Sequence, residues 1–184
     1  MGFHTFDPEM ADRLEGEHRY RWCSGEELLT QVAPHEDATI ADLGSGTGFY
    51  TDIVAPHAGT VYAVDIQPEM HERYREKGVP ATVEQVEATA EELPFEDGEL
   101  DAAFSTMTYH EFSGPETMAE LARVLRPGGR LVTVDWSGNG SGQGGPPVGE
   151  RHTLGHAVSA LGAAGFTVEH AVSRTETFIC RARR

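Results

Sequence analysis

The chain has 184 residues, enough for one domain with a full core. Its two cysteines, Cys23 and Cys180, lack metal-ligand spacing, and no apolar run approaches the ~18 residues of a membrane span, so a disulfide framework, a zinc site and a membrane segment are not expected. The formal charge is −16, with one lysine (Lys77) beside thirteen arginines and the acids spread along the chain, so no basic stripe stands ready to neutralise a nucleic-acid backbone.

Residues 1–22 carry aromatics and charges without clean periodicity, among them Phe3, Phe6, Arg19, Tyr20 and Trp22. The opening Met1 to Asp7 lacks the basic-then-apolar order of a signal peptide, and a cytoplasmic location is expected. A helix is predicted from Ser24, a hydroxyl cap with Glu27 as capping-box partner, and it stops before Pro34. A strand over 39–43 leads into the glycines, then a helix over 47–55 is broken by Pro56. A second strand covers 60–65, a helix Pro68–Lys77 ends at Gly78, and a third strand covers 82–87. Strand four runs from Leu100 to Thr106, and a helix from Pro115 to Leu125. Pro127-Gly128-Gly129 is expected to break the chain before strand five, Arg130–Trp136. Segment 138–149 reads as a long mobile loop because glycine and proline dominate it. A last helix over 153–163 and a hairpin of strands, 166–172 and 175–182, complete the chain. Strands alternating with helices at this spacing predict an α/β fold with a doubly wound, parallel sheet.

The densest chemistry lies at the end of the first strand, Ile-Ala-Asp-Leu-Gly-Ser-Gly-Thr-Gly over 40–48. Gly44, Gly46 and Gly48 make a turn without side chains, which a ligand can approach closely. The second strand ends in Asp65, a carboxylate suited to two ribose hydroxyls. A dinucleotide fingerprint would place its third glycine where Phe49 stands, and Asp42 beside the turn would repel phosphate. An acid there suits an ammonium or sulfonium group. S-adenosylmethionine, with ribose, adenine, an amino-acid end and no phosphate, therefore fits better than a dinucleotide; a turn without any ligand is the bland reading.

With these pieces placed, the chain resembles the class I S-adenosylmethionine-dependent methyltransferases, in the branch similar to quinone-biosynthesis and other small-molecule enzymes. The motifs are Ala-Asp-Leu-Gly-Ser-Gly-Thr-Gly, Val-Asp-Ile-Gln-Pro-Glu-Met at 64–70, Glu-Glu-Leu-Pro-Phe-Glu-Asp-Gly at 91–98 and Arg-Val-Leu-Arg-Pro-Gly-Gly-Arg-Leu at 123–131. The resemblance implies a seven-stranded, mostly parallel sheet whose antiparallel last strand inserts between two others at its edge. It implies that Asp42, Gly44, Ser45, Gly46 and Gly48 cradle the methionine end, that Asp65 holds the ribose, and that Ile66 packs on adenine. Thr89, followed by Ala90, stands where the family usually has an acid for the adenine amino group. Ser105 would line the cofactor beside its sulfonium. Residues 1–37 would form a lid segment and first helix, and 38–184 the cofactor-binding domain.

Methyl transfer needs a base only when the acceptor must lose a proton. His110 with Glu111, just past strand four, is the candidate base; packing or capping of the next helix is its alternative role. Tyr109 is a candidate acceptor contact or else packs in the core, Asp135 and Trp136 are candidate site contacts at the ligand edge, and Tyr20 and Trp22 form a candidate lid or else pack on the surface. Arg151 and His152, after the glycine loop, are candidates for binding an anionic acceptor, or else belong to a solvated loop. The other histidines show no ligand spacing, so no metal is expected. The expected partner is a small-molecule methyl acceptor, with neither nucleic acid nor membrane. A nicotinamide-dependent oxidoreductase and a non-catalytic S-adenosylmethionine sensor are the competing readings. The spread of acids further suggests a salt-rich cytoplasm such as that of a halophilic archaeon.

Overall fold

The computed structural model describes residues 6–184; Met1 and Phe3, named above, lie outside the described residues. Among the described residues seven strands form one sheet: β1 (Thr39–Leu43), β2 (Thr60–Asp65), β3 (Val83–Glu87), β4 (Leu100–Thr106), β5 (Leu125–Trp136), β6 (Thr167–Ser173) and β7 (Thr177–Arg183). Their order is β3-β2-β1-β4-β5-β7-β6. The first five are mutually parallel, and β7 runs antiparallel to both β5 and β6. The expected edge insertion of the last strand is therefore present.

Among the described residues six helices pack on the sheet, α1 (Gly25–Val32) before the first strand and α2 (Thr51–Val54), α3 (Pro68–Lys77), α4 (Tyr109–Phe112), α5 (Pro115–Val124) and α6 (Leu154–Ala163) between strands. The Ser24 hydroxyl accepts from the Glu27 amide at 3.2 Å, the expected N-cap. The Glu27 side chain leaves the box and pairs with Arg174 instead. Alternation along the strands feeds two apolar layers. Ile40, Ala102 and Phe104 pack with Leu28, Val54 and Tyr74 on the face of α1–α3. Ala41, Leu43 and Ala103 pack with Met118, Leu121 and Leu161 on the face of α5 and α6. Both faces are covered, as parallel strands require.

Three expectations need correction. The helix predicted over 47–55 shrinks to α2 and a 3-10 turn, Ala55–His57, because Gly46 and Gly48 hold positive φ (+54° and +81°) and cannot sit in a helix. Strand five starts at Leu125, not Arg130. Leu125 pairs with Leu100 and Arg130 with Ala102, so Pro127-Gly128-Gly129 forms an irregularity inside the strand and does not interrupt it. The glycine segment 138–149 is lashed to buried side chains, described below. Two 3-10 segments, Pro8–Glu15 and Glu17–Arg21, and the four-residue α4 escape periodicity analysis because each is too short to show a face.

Candidate active site

The sheet changes direction between β1 and β4, and an open α/β sheet has its crevice at the carboxyl ends of such a pair. The glycine turn follows β1, and its Gly44 and Ser45 amides both donate to Val64 O of β2 at 2.9 Å. Gly44 (φ +72°) has no room for a side chain: a Cβ would lie 2.7 Å from Thr108 Oγ1. That hydroxyl donates to Leu43 O at 3.1 Å and lies 3.3 Å from Ser105 Oγ, which locks the turn to the end of β4. Gly48 is needed for another reason, since the Tyr74 ring occupies the space a side chain would take.

Asp42 is 1% exposed. One of its oxygens accepts from Thr51 Oγ1 at 2.6 Å, whereas Oδ1 has no partner among the described residues. Burial pushes its pKa up to about 7, against the opposing pull of Thr51 and the Arg19 charge. Ser45 Oγ, in the same turn, is likewise buried without a partner. Such orphans are uncommon and ask for an explanation. Asp65, at the end of β2, accepts from the Gly46 amide (2.8 Å) and the Gln67 amide (2.9 Å). Burial raises its pKa, while those amides oppose the rise. Beneath it His71 Nε2 reaches Asp65 O at 3.3 Å and Val86 O at 3.2 Å, joining the ends of β2 and β3. Ile66 follows, 40% exposed, an apolar side chain left at the rim. Thr89 and Ala90 lie half-buried beyond β3, with Thr89 O accepting from the Glu92 amide at 3.3 Å.

Across the crevice, the structure joins two residues that sequence separates by 25 positions. Asp135, fully buried at the end of β5, accepts from the His110 amide at 2.7 Å and faces His110 Nδ1 at 3.0 and 3.1 Å. A carboxylate at Nδ1 fixes the proton there and leaves Nε2 as the basic nitrogen. Burial lowers the His110 pKa, but Asp135 and then Glu111 outweigh it and raise it net. Glu111 Oε1 lies 3.8 Å from His110 Nε2, and burial pushes its own pKa up to about 7. His152 stands nearby, with Nε2 2.6 Å from Ser113 Oγ and its ring stacked on His156. Burial, then His156, lower its pKa. Tyr109 is 1% exposed, packs edge-on to Phe112 and Phe178, and leaves its hydroxyl unpartnered among the described residues.

The N-terminal segment lies over the glycine turn. Leu14 Cδ1 is 3.3 Å from where a Gly46 Cβ would sit, Thr47 bonds Glu15, and Gln67 Nε2 donates to Phe6 O at 2.9 Å. The Arg19 guanidinium sits over the Phe49 and Tyr50 rings. Tyr20 packs on Phe49 (5.2 Å) and Trp22 edge-on to Trp136 (5.0 Å), so both reach the rim of the crevice. Arg151 does not point to an acceptor: it is buried, paired with Glu176 at 3.2 Å, and holds the glycine loop through Pro146 O and Gly144 O. Thr51, Thr108, His71 and Glu176 support the site and carry no sequence motif. Only the burial pattern of their neighbours hints at them. Among the described residues no group of three or more histidines, cysteines or acids is placed to share a metal, and no helix is long and apolar enough to cross a membrane. Cys23 and Cys180 are both buried thiols.

Fold and crevice together define a Rossmann-like, nucleoside-binding α/β protein. Residues 41–133 match the family model described as a methyltransferase domain. The chain belongs to that methyltransferase family. An uncharacterized methyltransferase of Mycobacterium tuberculosis is 36% identical over 140 residues, covering 70% of this chain and 56% of the relative. An uncharacterized methyltransferase-like protein of Schizosaccharomyces pombe is 33% identical over 131 residues, covering 71% and 50%. The chain thus spans about half the length of the curated relatives it matches. A crystal structure of an S-adenosylmethionine-dependent methyltransferase from Aquifex aeolicus superposes with a TM-score of 0.88 at 29% identity, covering 97% of this chain and 99% of that one.

Proposed function

We propose that this protein transfers a methyl group from S-adenosylmethionine to a hydroxyl of a small-molecule acceptor, with His110 as general base. The cofactor is S-adenosylmethionine. The observation that carries the reading is the unpartnered, buried Asp42 Oδ1 in a turn whose Ser45 hydroxyl is unpartnered too. A carboxylate raised to about 7 by burial gains most from a cationic neighbour, which the ammonium of the methionine end would supply. Asp42, Ser45 and the Gly44–Gly48 turn would hold that end. Asp65 would hold the ribose, Ile66, Thr89 and Ala90 the adenine, and Ser105 the region of the sulfur.

When bound, the cofactor supplies an electrophilic methyl on a good leaving group. The protein's own contribution is alignment, exclusion of water and management of one proton. Asp135 keeps the His110 proton on Nδ1, so that Nε2 accepts the acceptor's hydroxyl proton as oxygen attacks. Glu111 adds negative charge beside Nε2 and favours the imidazolium that forms. Residues 6–22, with Tyr20 and Trp22, would act as a lid that excludes water. The small-molecule branch that includes quinone-biosynthesis enzymes supplies the closest chemistry, and the acidic surface supports work in a salt-rich cytoplasm.

Calorimetric titration tests the cofactor: S-adenosylhomocysteine should bind with a dissociation constant in the micromolar range, and NAD(H) should not. The reverse ranking would overturn the reading in favour of an oxidoreductase. Labelled cofactor incubated with phenolic and alcoholic acceptors tests the base. His110→Ala should lose about 10²–10⁴-fold in rate while keeping its affinity for S-adenosylhomocysteine. Binding without any product, from that panel or from cell extract, would favour a sensor.

A further inference from the structure

The end of the sheet opposite the crevice gathers positive charge, in a chain whose net charge is −16. Arg126, Arg130, Arg181, Arg183 and Arg184 are five of its thirteen arginines, and they lie at the start of β5 and the end of the chain. Antiparallel pairing sets Arg130 directly opposite Arg183. Like charges in that position destabilise a strand pair.

The protein compensates this charge only in part. Arg126 Nε bonds Asp101 at 2.6 Å, and the other Asp101 oxygen already accepts from the Thr39 amide at 2.8 Å. Glu169 serves two arginines, Arg183 at 2.7 Å and Arg181 at 3.4 Å. Arg184 turns to the carbonyl of Leu125. Arg130 has no carboxylate partner among the described residues; its one bond is to Val32 O at 3.3 Å. Burial first, then repulsion from Arg183 and Arg181, lowers its pKa. Beside it opens a cavity of about 140 Å³, lined among others by Arg126, Arg130, Arg183, His35 and Asp101. Of the three arginines that line this space, Arg126 is held by Asp101 and Arg183 by Glu169 and Gly128 O, so that among the described residues Arg130 alone lacks a carboxylate. A single water needs only about 10–15 Å³ of such space, so the cavity has room for a small tetrahedral ion.

We propose that this cavity is a binding site for a small multivalent oxyanion of the phosphate class, with Arg130 as its principal ligand. Guanidinium forks match the paired oxygens of such an ion, and two negative charges would relieve the Arg130–Arg183 repulsion that chloride relieves less well. The site stands apart from the methyltransferase reading. Ala102 lines the cavity, and Thr106, four residues along β4, borders the crevice, a separation of roughly 13 Å along the strand.

The test uses the whole chain, with inorganic phosphate as probe against sodium chloride at matched ionic strength. Phosphate should raise the melting temperature saturably and give a calorimetric isotherm, and the chloride series should not. Arg130→Gln should weaken phosphate binding at least tenfold and leave S-adenosylhomocysteine binding unchanged. Arg73→Gln, on α3 and remote from the cavity, should leave phosphate binding unaltered. Should Arg130→Gln fail to fold, Arg130→Lys keeps the charge without the fork and should still weaken binding. Equal effects of phosphate and chloride, or wild-type phosphate affinity in Arg130→Gln or its lysine substitute, would overturn the proposal, as would an equal loss in Arg73→Gln. Parallel titrations with glycerol phosphate separate the free ion from a phosphate ester: tighter binding of the ester identifies a metabolite's phosphate end as the natural occupant.

Discussion

Asp42 is a residue whose position costs stability and whose chemistry asks for a ligand. Its pKa is raised to about 7 from an ordinary value near 3.8, so the native state binds a proton more readily than the unfolded chain. The sign follows from linkage. The penalty is absent below the unfolded value, grows as pH rises between the two values, and is complete above about 7. Asp42→Asn keeps an oxygen for the Thr51 hydroxyl and removes the buried charge. At pH 8, without cofactor, it should stabilise the protein by up to about 4 kcal/mol, less whatever the unpartnered amide costs, and the gain should shrink as the pH is lowered toward 4. The same variant should bind S-adenosylhomocysteine at least tenfold more weakly, by analogy with other sites where function holds a destabilised group in place. Denaturant melts at several pH values and a titration check both halves. A variant that is stabilised yet binds normally would remove Asp42 from the site. At this scale the sequence is legible where chemistry is local: Asp42 and Ser45 sit beside and within a recognisable turn, and Asp65 ends the next apolar strand. It is not legible for His110 with Asp135, because parallel pairing of β4 and β5 creates that contact across 25 residues.

At the scale of elements, periodicity predicts those that bury one continuous face, and β1, β2, β4 and α3 begin and end where their patterns do. It misleads where glycine and proline serve two different ends. In Pro127-Gly128-Gly129 they shape an irregular strand and do not end a helix-strand boundary. In 138–149 they form a loop that two buried charges hold down. Glu176 accepts from the Ser141 hydroxyl and amide, from the Gly142 amide at 3.1 Å and from Arg151 at 3.2 Å. The Ser141 hydroxyl first, and Arg151 with it, holds the Glu176 pKa down at about 2. Removing one partner of a buried pair leaves the other uncompensated, so Arg151→Ala should lower the melting temperature by about 5 °C or more. Limited proteolysis should then cut within 138–149. The pair Arg151→Met with Glu176→Leu should lose less than either single change. Because the Glu176 pKa is depressed, its contribution is present above its usual value of 4.5 and is lost as pH falls toward 2. Glu176→Gln and the wild type should therefore converge in melting temperature across that acid range. Gly144 and Gly145 lie against the Trp22 and Trp136 rings, and an intact loop in Arg151→Ala would show that this packing suffices without the ion pair.

For the whole molecule, thirty acids face fourteen lysines and arginines, and this imbalance decides how salt acts. Two electrostatic effects oppose each other. Exposed pairs such as Arg73–Glu76 and Arg123–Asp97 stabilise the fold only weakly, and salt weakens them further. Repulsion among the sixteen charges left in excess destabilises the compact chain, and salt relieves it. The screening length falls from about 10 Å at 0.1 M to about 3 Å at 1 M, shorter than the spacing of most surface charges. The excess outnumbers the exposed pairs, so relief should win and the melting temperature should rise with KCl up to about 1 M. Phosphate must be left out of this series, since it would also report on the arginine cavity. A flat or falling curve would mean that the ion pairs dominate and that the acidity reflects no adaptation to salt. The decisive comparison is made near pH 4.8, the sequence pI. There the net charge vanishes and repulsion with it, so a slope that arises from excess charge should disappear. A slope that persists at that pH would instead come from salt excluded from the apolar surface, an effect that does not depend on the sixteen charges.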